Sequence, residues 1–141
     1  MKIGIDLGGS HIAIGVVNKD GNIVEKIEKR LSNVEKNKLK TVIIEYIIEN
    51  IKLFEQKYQI REIGIAIPGT VQDGKIIKSV NLGIQNWDIV NELKQNINLK
   101  VKIRNDAKCA AIAEDKYGCL KQYNRSIFLT LGTRNRWSGY Y

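Results

Sequence analysis

The spacing of apolar residues changes sharply after residue 38 of this chain. Residues 2–27 contain three short β-rich runs, separated by glycine-containing turns at residues 7–10 and 18–22. Such runs predict antiparallel strands. Beyond them, apolar side chains recur every three or four residues, which predicts an amphipathic helix. These apolar positions are Leu39, Ile43, Ile47, Ile51 and Phe54. The change of spacing predicts an α/β protein whose first helix covers one face of a sheet.

Shorter elements extend this pattern. The apolar run Ile63–Ile67 stops at Pro68 and Gly69, which is typical of a strand buried on both faces. Residues 71–77 surround an Asp-Gly pair and predict a small hairpin, and residues 81–86 predict a polar loop. The remaining predicted elements are a helix from Asp88 to about Asn96, a strand at 101–104, a helix at 107–117 ending at Gly118, and a strand at 126–131. The order predicts a mixed sheet with helices on its faces.

The composition excludes several classes of protein. With 43% hydrophobic and 27% charged residues, the 141-residue chain is typical of soluble globular proteins. No apolar run approaches the ~18 residues of a membrane span, and residues 1–6 begin a strand pattern instead of a signal peptide. We therefore expect a cytoplasmic protein without a membrane partner. The net charge is +8, but its lysines are scattered among glutamates without interleaved aromatic residues, so a nucleic-acid partner is not favoured.

Cysteine and histidine residues do not form a metal-binding pattern. Cys109 and Cys119 lie ten residues apart, and the only histidine, His11, is far from both in sequence. This spacing supports neither a zinc site nor a redox pair. Both cysteines are expected to be reduced structural thiols.

Asp6-Leu7-Gly8-Gly9-Ser10 places a carboxylate at a strand end, directly before two glycines and a hydroxyl. Glycines allow backbone N–H groups to approach phosphate oxygens, and a nearby carboxylate can hold Mg²⁺ through water. A Gly-Gly pair is also an ordinary hairpin turn. The segment by itself leaves both interpretations open.

A second candidate is Asn105-Asp106, where a predicted strand ends and a helix begins. The Asp106 carboxylate could cap that helix, or it could point into a cleft as the general base for a substrate hydroxyl. For an isolated Asn-Asp pair, the capping interpretation is favoured.

These segments gain meaning from their order in the chain. They are Asp6–Ser10, 65–69 (Ile-Ala-Ile-Pro-Gly), 81–82 (Asn-Leu) followed by Trp87, 105–111 (Asn-Asp-Ala-Lys-Cys-Ala-Ala) and 131–133 (Leu-Gly-Thr). Together they resemble the ROK family of sugar kinases and sugar-responsive repressors. The resemblance covers residues 2–133.

The resemblance implies an actin-like ATPase lobe of ribonuclease H-like type, spanning residues 1–133. This α/β lobe has a mixed five-stranded sheet with three antiparallel opening strands and helices on both faces. The implied catalytic base is Asp106, which takes the proton of a sugar hydroxyl while ATP donates its γ-phosphoryl group. The implied sugar-side residues are Gly69, Asn81, Asn105 and Asp106. The implied ATP-phosphate residues are Asp6, Gly8, Gly9, Ser10, Gly132 and Thr133, with Asp6 holding Mg²⁺ through water.

Some positions depart from the letters that are usual in the family. They are His11, Thr70, Lys108 and Cys109. None of these departures removes an implied catalytic group. His11 is interpreted as a solvated strand residue in preference to a phosphate contact, and Trp87 as a packing residue in preference to a sugar-stacking one.

The implied function is that of the N-terminal lobe of an ATP-dependent hexose kinase, acting on a hexose or N-acetylhexosamine. Part of a sugar-responsive repressor and a non-catalytic sugar-binding module are the alternatives. A repressor is disfavoured because no DNA-binding segment precedes Lys2.

The last eight residues, 134–141, do not resemble the family. One inserted base in a codon set for Gly-Ile-Gly-Gly-Val-Val-Ile-Ile would produce all eight, so a frame-shifted tail is expected. The family's second phosphate loop, zinc motif and adenosine pocket have no counterpart in these 141 residues. We therefore expect little kinase activity from the chain alone, and self-association through an exposed inter-lobe face.

Overall fold

A computed structural model describes residues 1–130 and the backbone of residues 136–140. Its strands and helices are β1 (Lys2–Leu7), β2 (His11–Val17), β3 (Ile23–Arg30), α1 (Leu39–Lys57), β4 (Glu62–Ile67), β5 (Thr70–Gln72), β6 (Lys75–Ser79), β7 (Ile84–Trp87), α2 (Ile89–Lys94), β8 (Lys100–Asn105), α3 (Asp106–Tyr117), a short 3₁₀ helix (Cys119–Gln122), β9 (Ser126–Thr130) and β10 (Arg136–Tyr140).

The main sheet contains five strands in the order β3-β2-β1-β4-β8. The first three strands pair antiparallel, and β1, β4 and β8 pair parallel. Asp6 lies opposite Ala66, which in turn lies opposite Arg104. The predicted mixed sheet with three antiparallel opening strands is confirmed. Its parallel register also brings the ends of β1, β4 and β8 to one edge.

One face of this sheet carries the hydrophobic core. Its buried strand residues are Ile3, Ile5, Leu7, Ile12, Ile14, Val16, Ile63, Ile65, Ile67, Val101 and Ile103. They pack in one cluster with the buried sides of α1 and α2. The helix residues in this cluster are Leu39, Ile43, Ile44, Ile47, Ile51, Phe54, Ile89, Val90 and Leu93. The predicted apolar face of α1 is therefore confirmed.

The opposite face of the sheet corrects one prediction. On β4, the odd-numbered isoleucines are buried, but Gly64 is exposed and Ala66 is only partly buried. The strand is therefore not buried on both faces. The continuous apolar run was misleading because Gly and Ala count as apolar but leave little side chain to bury. Cys109 of α3 shares a cavity with Gly64 and Ala66, so α3 lies on this face and the prediction of helices on both faces is confirmed.

A small sheet of three strands, β5-β6-β7, follows β4. Asp73 and Gly74 form its first turn with φ of 48° and 81°, which confirms the predicted Asp-Gly hairpin. The predicted polar loop at 81–86 is wrong in its second half, because β7 begins at Ile84. Ile84 and Trp87 are both buried, and their burial holds β7 in the sheet despite the polar residues between them. The packing role predicted for Trp87 is confirmed.

Helix ends follow the predicted capping residues. Asp88 accepts a hydrogen bond from the backbone N–H of Asn91 at the start of α2, and Gly118 is the C-cap of α3. Near the C-terminus, β9 pairs antiparallel with β10. Residues 131–135 lie outside the described residues, and the predictions for Gly132 and Thr133 fall there. Within the described part of the chain, no helix is long and apolar enough to cross a membrane.

Candidate sugar and phosphate site

Loops at the ends of β1, β4 and β8 form the candidate site. In an α/β sheet, the carboxyl ends of parallel strands are the usual place for a ligand. Here Ile67 lies opposite Asn105 at this edge, and Asp6 occupies the same row as Ala66 one position earlier. The sheet register therefore places three of the predicted segments next to one another.

The first loop, residues 8–10, is tightly packed. The Gly8 N–H donates to the His11 carbonyl at 2.9 Å, which closes the hairpin turn between β1 and β2. A Cβ on Gly8 would lie 3.1 Å from the His11 ring, and a Cβ on Gly9 would lie 3.1 Å from the Cβ of Asn81. A side chain at either position would therefore require its neighbour to shift. The second contact brings the predicted phosphate loop against the predicted sugar-side residue Asn81.

The turn at Pro68 and Gly69 is held from two sides. Ser79 Oγ donates to the Pro68 carbonyl at 2.6 Å, and Asn105 Nδ2 donates to the Gly69 carbonyl at 3.0 Å. A Cβ on Gly69 would collide with the carbonyl oxygen of Lys78, and the φ of Gly69 is +157°. Only glycine fits this position.

At the start of α3, the structure assigns the capping role to Asn105. The Asn105 Oδ1 accepts from the backbone N–H of Lys108 at 3.3 Å. Asp106 is the first residue of the helix, and its Oδ1 accepts from the N–H of Ala107 at 2.9 Å. The Asp106 side chain is partly buried. Because Asn105 caps the helix, Asp106 is not needed as the N-cap, and a carboxylate at a helix N-terminus is electrostatically favourable.

The carboxylates of Asp106 and Asp6 both influence the thiol of Cys109. Burial raises the pKa of the Cys109 thiol, Arg104 opposes this shift, and the carboxylates of Asp106 and Asp6 raise the pKa further. Both carboxylates therefore lie within electrostatic reach of one thiol. An open cavity of about 520 Å³ lies beside them and is lined in part by Asp6, Arg104 and Cys109.

The donor set near the phosphate loop suits magnesium better than a transition metal. Asp6 offers an exposed carboxylate, and Mg²⁺ is commonly held by one or two carboxylates, several waters and the phosphates of a substrate. Among the described residues there is no cluster of three or more His, Cys, Asp or Glu side chains that could enclose a metal ion.

The structure brings most of the predicted site residues together. Asn105 is hydrogen-bonded to Gly69 and is followed directly by Asp106, and Gly9 packs against Asn81. Asp6 and Asp106 both raise the pKa of the Cys109 thiol. Ser10 lies in the first loop, and its hydroxyl is 3.5 Å from His11 Nδ1. His11 is exposed on its strand, in agreement with its interpretation as a solvated residue.

Sequence reasoning missed Ser79. It is a buried polar residue with 1% exposure, and it contacts the Pro68–Gly69 turn from the end of β6. No local signal distinguishes a serine at the end of a hairpin strand from an ordinary surface serine. Its role becomes visible only when the hairpin is folded against the turn.

Comparisons with known proteins show what this chain is similar to. The model of the ROK family matches residues 2–134. A glucokinase from Thermotoga maritima is 30% identical over 134 residues, covering 93% of this chain and 41% of that protein. A xylose repressor from Caldicellulosiruptor bescii is 31% identical over 134 residues, covering 92% of this chain and 34% of that protein.

Solved structures show the same fold. A ROK family glucokinase from Streptomyces griseus, in complex with glucose and AMPPNP, superposes with a TM-score of 0.82 at 25% identity, covering 98% of this chain and 43% of that one. A putative sugar kinase from Cytophaga hutchinsonii gives a TM-score of 0.84 at 29% identity, covering 99% of this chain and 47% of that one. This chain therefore spans less than half the length of each of these four proteins, and it has the α/β fold of the actin-like sugar kinases. Since the family model extends over nearly all of its residues, the chain belongs to the ROK family.

Proposed function

We propose that residues 1–133 form the N-terminal lobe of an ATP-dependent hexose kinase and supply the sugar side and the first phosphate loop of its active site. One observation carries this proposal. Loop 8–10 contacts Asn81, the turn at Gly69 is bonded to Asn105, and Asp106 follows directly. Segments that are far apart in sequence thus meet in pairs at the strand ends.

In the proposed reaction, Asp106 is the general base. Its carboxylate accepts the proton of a sugar hydroxyl as that oxygen bonds to the γ-phosphorus of ATP, and the bond from this phosphorus to the β–γ bridging oxygen breaks to release ADP. Gly69, Asn81 and Asn105 are the proposed sugar contacts. The Asn105 amide retains one N–H and one oxygen lone pair after its two bonds within the chain, so it can still bind a sugar hydroxyl.

The first loop is the proposed phosphate contact. Gly8 and Gly9 lack the side chains that would otherwise keep phosphate oxygens from the backbone, and Ser10 adds a hydroxyl. Asp6 would hold Mg²⁺ through water, and the ion would neutralise charge on the transferring phosphoryl group. The predicted phosphate contacts of Gly132 and Thr133 belong to the same proposal.

The proposed phosphoryl transfer needs more residues than this chain contains. The chain spans 41% of the Thermotoga maritima glucokinase, and no adenosine contact is assigned to its residues. We therefore expect no ATP-dependent turnover from the 141 residues alone. Xylose repressors are similar to this chain to the same degree as glucokinases are, so sugar binding in a regulator is the second candidate function.

Calorimetric titration of the purified chain with glucose, and separately with N-acetylglucosamine, tests the sugar side. We expect one of them to bind, and Asp106→Asn to weaken its binding about tenfold, which is typical of a lost charge-assisted hydrogen bond. Asp115→Asn is the matched control, because Asp115 lies on the same helix, about two and a half turns further along.

One outcome would contradict this assignment, and another would contradict the expected lack of turnover. Equal sugar affinity of the chain and of Asp106→Asn would remove Asp106 from the sugar site. A robust coupled-assay rate with ATP that disappears in Asp106→Ala would show that the chain assembles a complete kinase site by itself.

We also propose that the C-terminal strands of the described chain belong to a surface that another lobe or a second copy covers. On β9, Ile127 is 73% exposed and Leu129 is 63% exposed. Exposed apolar side chains on a short strand favour association. Sedimentation should show concentration-dependent self-association that Leu129→Lys reduces, and a strict monomer at high concentration would contradict this.

A further inference from the structure

The Pro68–Gly69 turn is fixed by side chains from two different elements. Ser79, at the end of β6, donates to the Pro68 carbonyl at 2.6 Å. Asn105, at the end of β8, donates to the next carbonyl, that of Gly69, at 3.0 Å. Two consecutive carbonyl groups are therefore held by side chains from two different strands.

The turn has little freedom to move within this arrangement. Pro68 and Ser79 are buried, so water cannot easily replace the hydrogen bond between them. The backbone at Gly69 packs so closely on Lys78 that an added Cβ would collide with its carbonyl oxygen. Loss of the Ser79 hydroxyl would leave the buried Pro68 carbonyl without this donor, which favours a shift of the turn.

A shift of the turn would be transmitted to α3 through Asn105. The same side chain donates to Gly69 and accepts from the N–H of Lys108. Asp106 is the next residue, and its carboxylate is held by the N–H of Ala107 in the same helical turn. Movement of Asn105 would therefore change the position of the helix start and of the proposed base.

We propose that Ser79 is a positioning residue for the sugar site, acting through the Pro68–Gly69 turn and Asn105 on the start of α3. This inference rests on the proposed function for the identity of the site. Ser79 is 1% exposed and its hydroxyl is bonded to the Pro68 carbonyl, so its proposed role is indirect. The hydroxyl sets the position of Gly69 and Asn105, and through them that of Asp106.

Magnetisation transfer from water measures amide exchange and tests this connection in the intact chain, without any ligand. In Ser79→Ala we expect the Lys108 N–H and the Asn105 side-chain amide to exchange at least tenfold faster, because the turn that orients Asn105 is released. Ser79→Thr keeps the hydroxyl and should restore slow exchange. Ile76→Val is the matched control, since Ile76 is a buried residue of the same strand and its aliphatic side chain cannot donate a hydrogen bond to the turn.

Equal exchange at Lys108 in Ser79→Ala and Ile76→Val would overturn the inference, as would failure of a folded Ser79→Thr to restore it. If Ser79→Ala does not fold, Asn105→Asp provides the reciprocal test. This variant keeps the acceptor for Lys108 but loses the donor to Gly69. It should accelerate exchange of the Thr70 N–H at least tenfold, and an unchanged rate would overturn the inference.

Sugar titration then separates this inference from the proposed function. If glucose or N-acetylglucosamine binds the chain, Ser79→Ala should weaken that binding about fivefold and Ile76→Val should leave it unchanged. Equal affinities of Ser79→Ala and the unsubstituted chain would overturn the positioning role. Absence of binding to the unsubstituted chain would contradict the proposed function, whereas the exchange experiment would still decide the role of Ser79.

Discussion

The two faces of the main sheet are built from alternate residues of the same strands, yet they differ completely in chemistry. The core face presents large aliphatic side chains such as Ile5, Ile14 and Ile65, all at most 2% exposed. The other face contains a row in which three glycines on neighbouring strands lie between two lysines. That row is Lys26, Gly15, Gly4, Gly64 and Lys102.

The core face therefore supplies most of the stability, and the other face leaves room for the candidate site. Burying aliphatic side chains against α1 and α2 supplies the main driving force for folding. Small residues on the other face add little to it, and they leave space beside Asp6 and Cys109. The strands thus serve as a rigid support, and the candidate site begins where they end.

The largest expected effect is on the core face. Ile65→Ala removes a buried side chain from a central strand and should lower the free energy of unfolding by about 2–5 kcal/mol. Ala66→Gly, at the adjacent position on the other face, should cost only about 0.5–1 kcal/mol. Urea denaturation of both variants measures the contrast, and similar losses would break the distinction between the faces.

The next effect concerns the Pro68–Gly69 turn, which joins β4 of the main sheet to β5 of the small sheet. Gly69→Ala places a Cβ against the Lys78 carbonyl and should cost at least about 2 kcal/mol from strain and overpacking. Gly83→Ala is the control, because Gly83 has a φ of +65° but no atom within 4 Å of the added Cβ. Gly83→Ala should lower the free energy of unfolding by about 1 kcal/mol. Equal losses in thermal or urea denaturation would show that the close contact at Gly69 does not matter.

Much of this contrast could be predicted from the sequence, because periodicity is a local property. The spacing of Leu39 to Phe54 predicted α1, and the Asp-Gly pair predicted the turn between β5 and β6. The exposure of Gly64 was missed because glycine and alanine do not reveal which face is covered. Burial of Ile84 was missed for a similar reason, since β7 forms only through its pairing with β6.

The sequence predicted which residues belong to the candidate site, but not the hydrogen bonds between them. Motif residues such as Asp6, Gly69 and Asp106 were recognised from their order in the chain. That Asn105 bonds the turn at Gly69, and that Ser79 supports the same turn, depends on contacts between residues 36 and 11 positions apart. Such contacts follow from tertiary packing and leave no local pattern.

A smaller effect of opposite sign is expected on the open face. Gly64→Ala adds a Cβ that meets nothing within 4 Å and reduces the freedom of the unfolded chain, so it should stabilise the fold by about 0.4–1 kcal/mol. Denaturation with urea measures this change, and Gly4→Ala is a second case, with its nearest contact at an ordinary 4.0 Å. Destabilisation by Gly64→Ala would mean that this face is covered in solution.

The smallest expected effect is the pH dependence of an ion pair at the edge of the core face. Hydrogen bonds from Lys57 and Tyr58, both 2.9 Å long, hold the pKa of the Glu25 carboxyl below its ordinary value. A lowered pKa in the folded state means that the unfolded chain binds the proton more strongly. The stabilisation is therefore present above the unfolded pKa of about 4.3 and is lost as the pH falls through the folded pKa.

Glu28, on the other face, provides the comparison for this ion pair. Its pKa is also lowered, first by a hydrogen bond from Lys26, but that partner is only two residues away and remains near it in the unfolded chain. Glu25 is paired with residues more than thirty positions away, so its contact is lost on unfolding. We expect the free energy of unfolding, measured by low-salt urea denaturation, to fall between pH 7 and pH 3. Glu25→Gln should reduce this fall more than Glu28→Gln does. The difference should shrink in high salt, because both pairs are exposed and screened. Identical pH profiles for the two variants would show that sequence distance does not decide which surface ion pair is linked to folding.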